Sequence, residues 1–385
     1  MREQPKDIPL PCPPAVPPVA AAGTRLRHVL FQARAGGYHT YRIPGLAVTA
    51  RGTILAHCEA RRDTPWDYGP MDVLVRRSRD GGVTWTPPAV LIAGEGDNVA
   101  NTVMIPDRDT GGVHLLYCRA YKRCFYTQSQ DDGVTFAPPV EITEVFEQYR
   151  QEYDWTLIAT GPGHGLRLRS GRLLVPVWLS TSVDQRPTLV SVIYSDDRGA
   201  HWQRGPVIVR DDDGQGIVNP MEAVAVELRD GQVMLNVRNA SPVQRRAVSI
   251  SPDGVHDWAP FRFDPQLREP FCMASLCRLP EPDGALVWAN PDNLTRSGQP
   301  GTEKVGGCDR KCVTVRLSDD EGQSWPYARV LEPDWSGYSD LAVGPGHSIY
   351  CLYESGCLDN LMWDIAGINV VRFDRSWLEG NSNHG

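Results

Sequence analysis

The chain has 385 residues, of which 41% are hydrophobic and 22% charged, enough apolar material for a core in one large domain or two ordinary ones. A formal charge of −8 argues against a general nucleic-acid surface, so an anionic ligand would have to meet a local cluster of arginines. No apolar run approaches the ~18 residues needed to span a bilayer, and ten cysteines without a C-x-x-C pair or an H-E-x-x-H motif suggest neither a disulfide scaffold nor a zinc site.

Along the chain, residues 1–25 read as a flexible Pro/Ala-rich arm. Its prolines interrupt any signal-peptide apolar region, so no export signal is visible, and either a cytoplasmic location or secretion after signal removal is compatible. The runs Arg51–Ala60, Gly171–Ser180 and Gln232–Arg238 alternate as short strands, and Glu144–Asp154 is the best candidate for a helix. Gly (36) and Pro (32) punctuate these runs as turns do in an all-β chain. No composition break divides residues 26–379, which therefore read as one domain, with a loose tail over 380–385.

A signature of the form Ser-x-Asp-x-Gly-x-Thr-Trp recurs within this body. Copies begin at Ser78, Ser129, Ser195 and Ser318, and a degenerate copy with a displaced glycine runs from Ser251 to Trp258. Each is a hairpin-turn module in which Ser and Asp satisfy turn amides, Gly takes a positive φ and the aromatic residue staples the turn to its sheet. The copies lie 51 to 67 residues apart, about one four-stranded blade each. Five copies with their flanking sequence predict a six-bladed β-propeller. The boxes themselves are structural, since binding modules can carry the same repeat.

Five further places put charged or hydroxylic residues at strand ends. They are Tyr41-Arg42-Ile43-Pro44; Arg61 with Asp67; Glu222 leading to Arg238; Asp309-Arg310; and Tyr338, sixteen residues before Glu354. In this order, with the Y-R-I-P motif and the repeated boxes, the chain from about Tyr38 to Glu354 resembles the sialidase (neuraminidase) family. The resemblance implies an exo-α-sialidase, a retaining glycoside hydrolase acting on sialylated glycans, with no metal and no cofactor. It assigns Arg42, Arg238 and Arg310 to a triad gripping the substrate carboxylate, Asp67 to the general acid/base, Tyr338 to the nucleophile and Glu222 to its proton acceptor. Arg61 becomes the supporting arginine near the sugar and Glu354 the residue that orients Arg42. Glu222 is preferred to Glu227 because in the family the catalytic glutamate precedes a V-E-L segment, here Val226-Glu227-Leu228.

The chemistry asks for these residue types. Sialic acid carries a carboxylate on its anomeric carbon, so a carboxylate nucleophile would approach like charge, whereas a neutral tyrosine would not. Ionising a phenol of reference pKa near 10 at pH 7 costs roughly 4 kcal/mol, which a neighbouring glutamate can offset by accepting the proton. Sialidases with a tyrosine nucleophile are an exception to the two-carboxylate rule of glycosidases. Arginine suits the triad because its planar fork holds a carboxylate through paired hydrogen bonds. Asp67 must be protonated to act, which leads us to expect partial burial beside Trp66, and Asp63 is the nearest substitute. The segment Asp97–Met104 is expected to reach the pocket for the N-acyl group, while His57 and His164 read as core or loop histidines. A trans-sialidase, a glycosidase for a related 2-keto sugar acid and an inactive sialoglycan-binding propeller remain alternatives.

Overall fold

The computed structural model describes residues 26–211, 213–298 and 308–380. The expected arm over 1–25 and the tail beyond Gly380 lie outside the described residues. Within them the fold is all-β and propeller-like: four sheets follow one another in chain order, and a seven-stranded sheet completes the set. The first sheet runs through Thr40–Val48, Ile54–Arg61, Met71–Ser78 and Ala89–Ile92, each strand antiparallel to the one before. Strand Tyr327–Val343 spans seventeen residues and turns a corner within the largest sheet. Its first half pairs with Lys311–Ser318 and its second half with Ile349–Leu358.

Both faces of these sheets are covered. Thr40–Val48, Ile54–Arg61 and Leu173–Ser180 are buried at every position, because each sheet is packed between its neighbours. Apolar clusters accordingly recur between sheets; one joins Leu46, Ile54 and Ala56 to Tyr350, Leu352 and Ile368. Leu26–Gln32 pairs antiparallel with Leu361–Phe373 and so joins the start of the described chain to its end.

The serine opening each box is the last residue of a third strand: Met71–Ser78, Arg123–Ser129, Thr188–Ser195, Arg245–Ser251 and Lys311–Ser318. In the first copy Ser78 Oγ accepts the Gly82 amide at 2.8 Å and donates to Asp80 at 2.8 Å. Asp80 in turn accepts the Thr84 amide, and the Trp85 indole donates to the Gly82 carbonyl at 3.1 Å. The degenerate copy does the same work one residue early: Gly254, at φ +79°, donates to Ser251 Oγ, and the Trp258 indole donates to the Val255 carbonyl. The expected helix is short, with Glu144–Glu147 α-helical and Gln148–Gln151 a 3₁₀ turn.

Near the middle of the molecule the fully buried Asp340 ties separate sheets together. Its carboxylate accepts Leu46 N–H at 2.7 Å and Ser275 Oγ at 2.9 Å, and pairs with His164 Nδ1 at 2.7 Å. A buried carboxylate needs this many partners, and the partly buried His164 supplies one of them. His57 is buried too, and burial drives its imidazole down to about pKa 4 against the pull of Asp340, so it is neutral at physiological pH.

Candidate active site

The box turns mark one end of the strands. The first strand of a sheet begins, and its second ends, at the opposite end, where the candidate residues gather around a cavity of about 250 Å³. Arg42, Asp67, Glu222, Arg238, Arg310 and Tyr338 all line it. They come from the first sheet, the fourth sheet and the long corner strand with its neighbours.

A common backbone device aims four segments at this cavity. The inner strands carry one extra residue between Arg42 and Gly45, between Ala100 and Val103, between Met221 and Ala223, and between Ser336 and Ser339. Such bulges re-aim side chains at the rims of sheets. The first sets Ile43 at φ +57° and turns its N–H onto Glu354 Oε1 at 3.0 Å, while the second sets Asn101 at φ +55°. Glu222 and Tyr338 sit within the other two.

Tyr338 is buried, and its hydroxyl donates to Glu222 Oε1 while accepting from Arg238 Nη1 at 2.6 Å. Three guanidinium carbons surround its ring: Arg310 at 5.2 Å, Arg42 at 5.3 Å and Arg238 at 5.8 Å from the centroid. Burial, reinforced by the Glu222 charge, raises the phenol well above its ordinary pKa, and Arg238 and Arg310 only partly oppose this, so the resting hydroxyl is neutral. Glu354 lies behind the cavity with no exposure, bonding Arg42 Nε at 3.0 Å and Nη2 at 3.3 Å and accepting the Tyr338 amide at 3.1 Å.

The three arginines are not equivalent. Arg42 is paired with Glu354 and Arg238 with Glu222. Arg310 is equally buried, yet among the described residues no carboxylate pairs with it; it donates from Nη2 to the Phe271 carbonyl at 2.8 Å, and its Nε–H has no partner. A buried cation without a counter-charge is costly unless a ligand supplies one, so the cavity is built to take an anion.

Asp67 is partly buried, as expected, with its side chain 35% exposed; it pairs with Arg61 Nη2 at 2.8 Å, and the neighbouring Trp66, 51% exposed, lines the same cavity. Burial pushes the Asp67 carboxyl up, but Arg61, Arg42 and Arg310 outweigh it and hold it below the usual carboxylate range. Arg61 itself is not part of the lining. It is buried behind the loop, bonding Glu59 Oε2 at 2.6 Å, and meets the lining through the Pro65 carbonyl and the Asp67 carboxylate. Glu227 points elsewhere, to Arg169 at 3.1 Å. Of the segment Asp97–Met104 only Asn101 lines the cavity, with its buried amide Nδ2 unpartnered.

Sequence reasoning missed Phe271, Tyr121, Trp178, Trp363 and the 183–186 loop, all of which also line the cavity. Phe271 lies 4.0 Å from the Arg238 guanidinium and Trp363 4.4 Å from that of Arg310. No local pattern distinguishes these aromatics from core residues; their place is set by long-range packing.

Fold and site thus define an all-β, propeller-like protein with a buried, arginine-rich anion pocket around a tyrosine. The BNR repeat-like domain model matches residues 52–351. The chain is 29% identical over 367 residues to a sialidase of Micromonospora viridifaciens, covering 89% of this chain and 53% of that protein. It is 31% identical over 346 residues to mouse Sialidase-4, covering 80% of this chain and 66% of that one. Among solved structures, Hadza microbial sialidase Hz136 superposes with a TM-score of 0.74 at 25% identity, covering 92% of this chain and 69% of that chain. A leech intramolecular trans-sialidase reaches the same TM-score at 16% identity, a likeness of fold alone. The chain belongs to the sialidase family. It spans between half and two thirds of the length of the curated bacterial sialidases it matches, 53% in Micromonospora viridifaciens and 60% in Bacteroides fragilis.

Proposed function

We propose that the chain is a retaining exo-α-sialidase that hydrolyses terminal sialic acids of glycoconjugates through a covalent intermediate on Tyr338, with residues 26–379 forming one six-bladed catalytic propeller. The observation that carries this reading is the Tyr338 hydroxyl, held between a carboxylate and a guanidinium in a pocket where, among the described residues, Arg310 makes no ion pair. A propeller that only binds glycans has no use for a proton acceptor on that hydroxyl. The six-blade count is supported by the corner strand Tyr327–Val343, which serves as the outer strand of one four-stranded half of the largest sheet and the inner strand of the other.

In the first step the substrate carboxylate meets Arg310 and the free donors of Arg42 and Arg238. The phenolic oxygen bonds to the anomeric carbon while its proton passes to Glu222, and the leaving oxygen departs with the Asp67 proton. In the second step Asp67 takes a proton from water as that water bonds to the anomeric carbon. The phenol oxygen leaves and recovers its proton from Glu222. Two inversions at one carbon give net retention.

The unliganded Asp67 is ionised at neutral pH, so the acid has to be made. An arriving carboxylate offsets the cationic field that depresses Asp67, and the substrate itself raises this carboxyl toward protonation. The test is turnover of an aryl sialoside and of sialyl-lactose followed by proton NMR. Release of free sialic acid, first as the α-anomer, supports hydrolysis with retention; transfer products would favour a trans-sialidase, and binding without turnover a lectin.

A further inference from the structure

Arg310 poses a problem that Arg42 and Arg238 do not. Those two guanidiniums are held in place by Glu354 and Glu222, and each gives N–H donors to its partner. Among the described residues Arg310 has a single hydrogen bond, to a neutral carbonyl, which leaves most of its five donors uncommitted there. Something must still fix its orientation, because an unheld guanidinium would pay its ordering entropy when the ligand arrives.

We propose that Trp363 is the positioning residue for Arg310, taking the place of a carboxylate partner. The Trp363 ring centroid lies 4.4 Å from Arg310 Cζ, closer than the Tyr338 ring at 5.2 Å. A cation over an indole is attracted through its face, so the in-plane N–H edge stays free for an incoming carboxylate. A glutamate in the same place would occupy that edge and compete with the ligand. The strand that carries Trp363, Leu361–Phe373, is itself anchored to the strand that carries Arg42: Thr40 Oγ1 donates to the Ile365 carbonyl at 2.7 Å, and His39 Nε2 meets Asp364 Oδ2 at 2.9 Å. The indole therefore holds Arg310 in register with the other two arginines. The inference rests on the reading of this pocket as a sialic-acid carboxylate site.

The test compares a planar sialic-acid glycal, which keeps the carboxylate, with its neutral methyl ester as inhibitors of wild type, Trp363→Leu and Trp363→Phe. Melting temperatures are recorded to show that all three are folded. Trp363→Leu keeps an apolar side chain but has no ring face. It is expected to weaken the acid about five- to tenfold while moving the ester little, and Trp363→Phe to restore most of the loss. With the aryl sialoside, KM should rise in Trp363→Leu while kcat changes less. Equal losses for acid and ester would mean that the indole touches the sugar directly, and an unchanged Trp363→Leu would mean that Arg310 needs no such support; either result overturns the positioning role and leaves the carboxylate site intact. Wild-type protein binding acid and ester equally well would instead overturn the carboxylate site and this role with it.

Discussion

The proton on Tyr338 decides what the pocket can do. Burial keeps the phenol neutral, so the proposed attack needs an acceptor already in hydrogen-bond contact, and the carboxylate in that contact is Glu222. Tyr338→Phe keeps the ring, and with it the three guanidinium contacts, but has no oxygen to form a bond. Loss of nearly all hydrolysis with sialic-acid glycal binding retained is expected, and near-normal turnover would remove the nucleophile assignment. Asp67 separates from Tyr338 by leaving group. A nitrophenol departs without a proton and a sugar does not, so Asp67→Ala should lose about 10²-fold more on sialyl-lactose than on the aryl sialoside; equal losses would make Asp67 a binding or structural residue.

Asp67 also predicts a pH dependence whose sign follows from its ion pairs. Its pKa is depressed in the free protein and rises when a carboxylate occupies the arginines, so binding takes up a proton and tightens as pH falls. Glycal affinity should increase from about pH 7 toward about pH 4, and Asp67→Asn should flatten that slope. A wild-type affinity independent of pH over that range would show that the arginines do not control the acid. Arg42, Asp67, Glu222, Arg238, Arg310 and Tyr338 were marked in the sequence by the family resemblance, and the structure brings them to one cavity. The partial burial expected of Asp67 is met, but its ion pair with Arg61, which helps hold the carboxyl low, was not legible because it depends on how the loop folds back.

At the scale of elements, the box turns and the bulges have opposite jobs. Ser318 Oγ, at the end of its strand, accepts the buried Gly322 amide at 2.8 Å. Ser318→Ala orphans that donor and should cost about 1 to 3 kcal/mol of stability with activity per folded molecule unchanged, as read by denaturant melts and kcat. Asp80, Asp131 and Asp197 are held near pKa 2 by hydrogen bonds, from Thr84 and Thr135 and from the His201 amide respectively. Their stabilisation is present above the unfolded carboxylate value and is lost as pH falls from about 4 toward 2, so acid unfolding should steepen in that window. The boxes were legible because a turn is built from near neighbours. The bulges were not, because register belongs to two strands at once, and nothing within Gly337-Tyr338 announces that Ser336 and Ser339 pair with Ser355 and Tyr353. Gly337 shows the constraint: a Cβ there would collide with Glu354 Oε2. Gly337→Ala should shift both Glu354 and Tyr338 and lower turnover by about 10²-fold, while a mild change in melting temperature would separate this from unfolding.

For the whole molecule, closure is what makes the site possible. Residues as distant in sequence as Arg42 and Tyr338 meet because Leu26–Gln32 pairs with Leu361–Phe373, adding a strand from the start of the described chain to the sheet that carries Tyr338. The repeat spacing pointed to a propeller-like arrangement, but not to which strand closes it, since that pairing joins the two ends of the described chain. The Trp363 face against Arg310 is likewise a product of this long-range geometry. The claim on which all else rests is that Tyr338 forms a bond to the sugar. A 3-fluorosialyl fluoride tests it directly: the good leaving group lets the first step proceed while the second fluorine slows release of the intermediate. Intact-mass and peptide mass spectrometry should find one fluorosialyl group on the peptide containing Tyr338, and none in Tyr338→Phe. Turnover of sialosides with no trapped adduct, or an adduct on Asp67 or Glu222 instead, would contradict it.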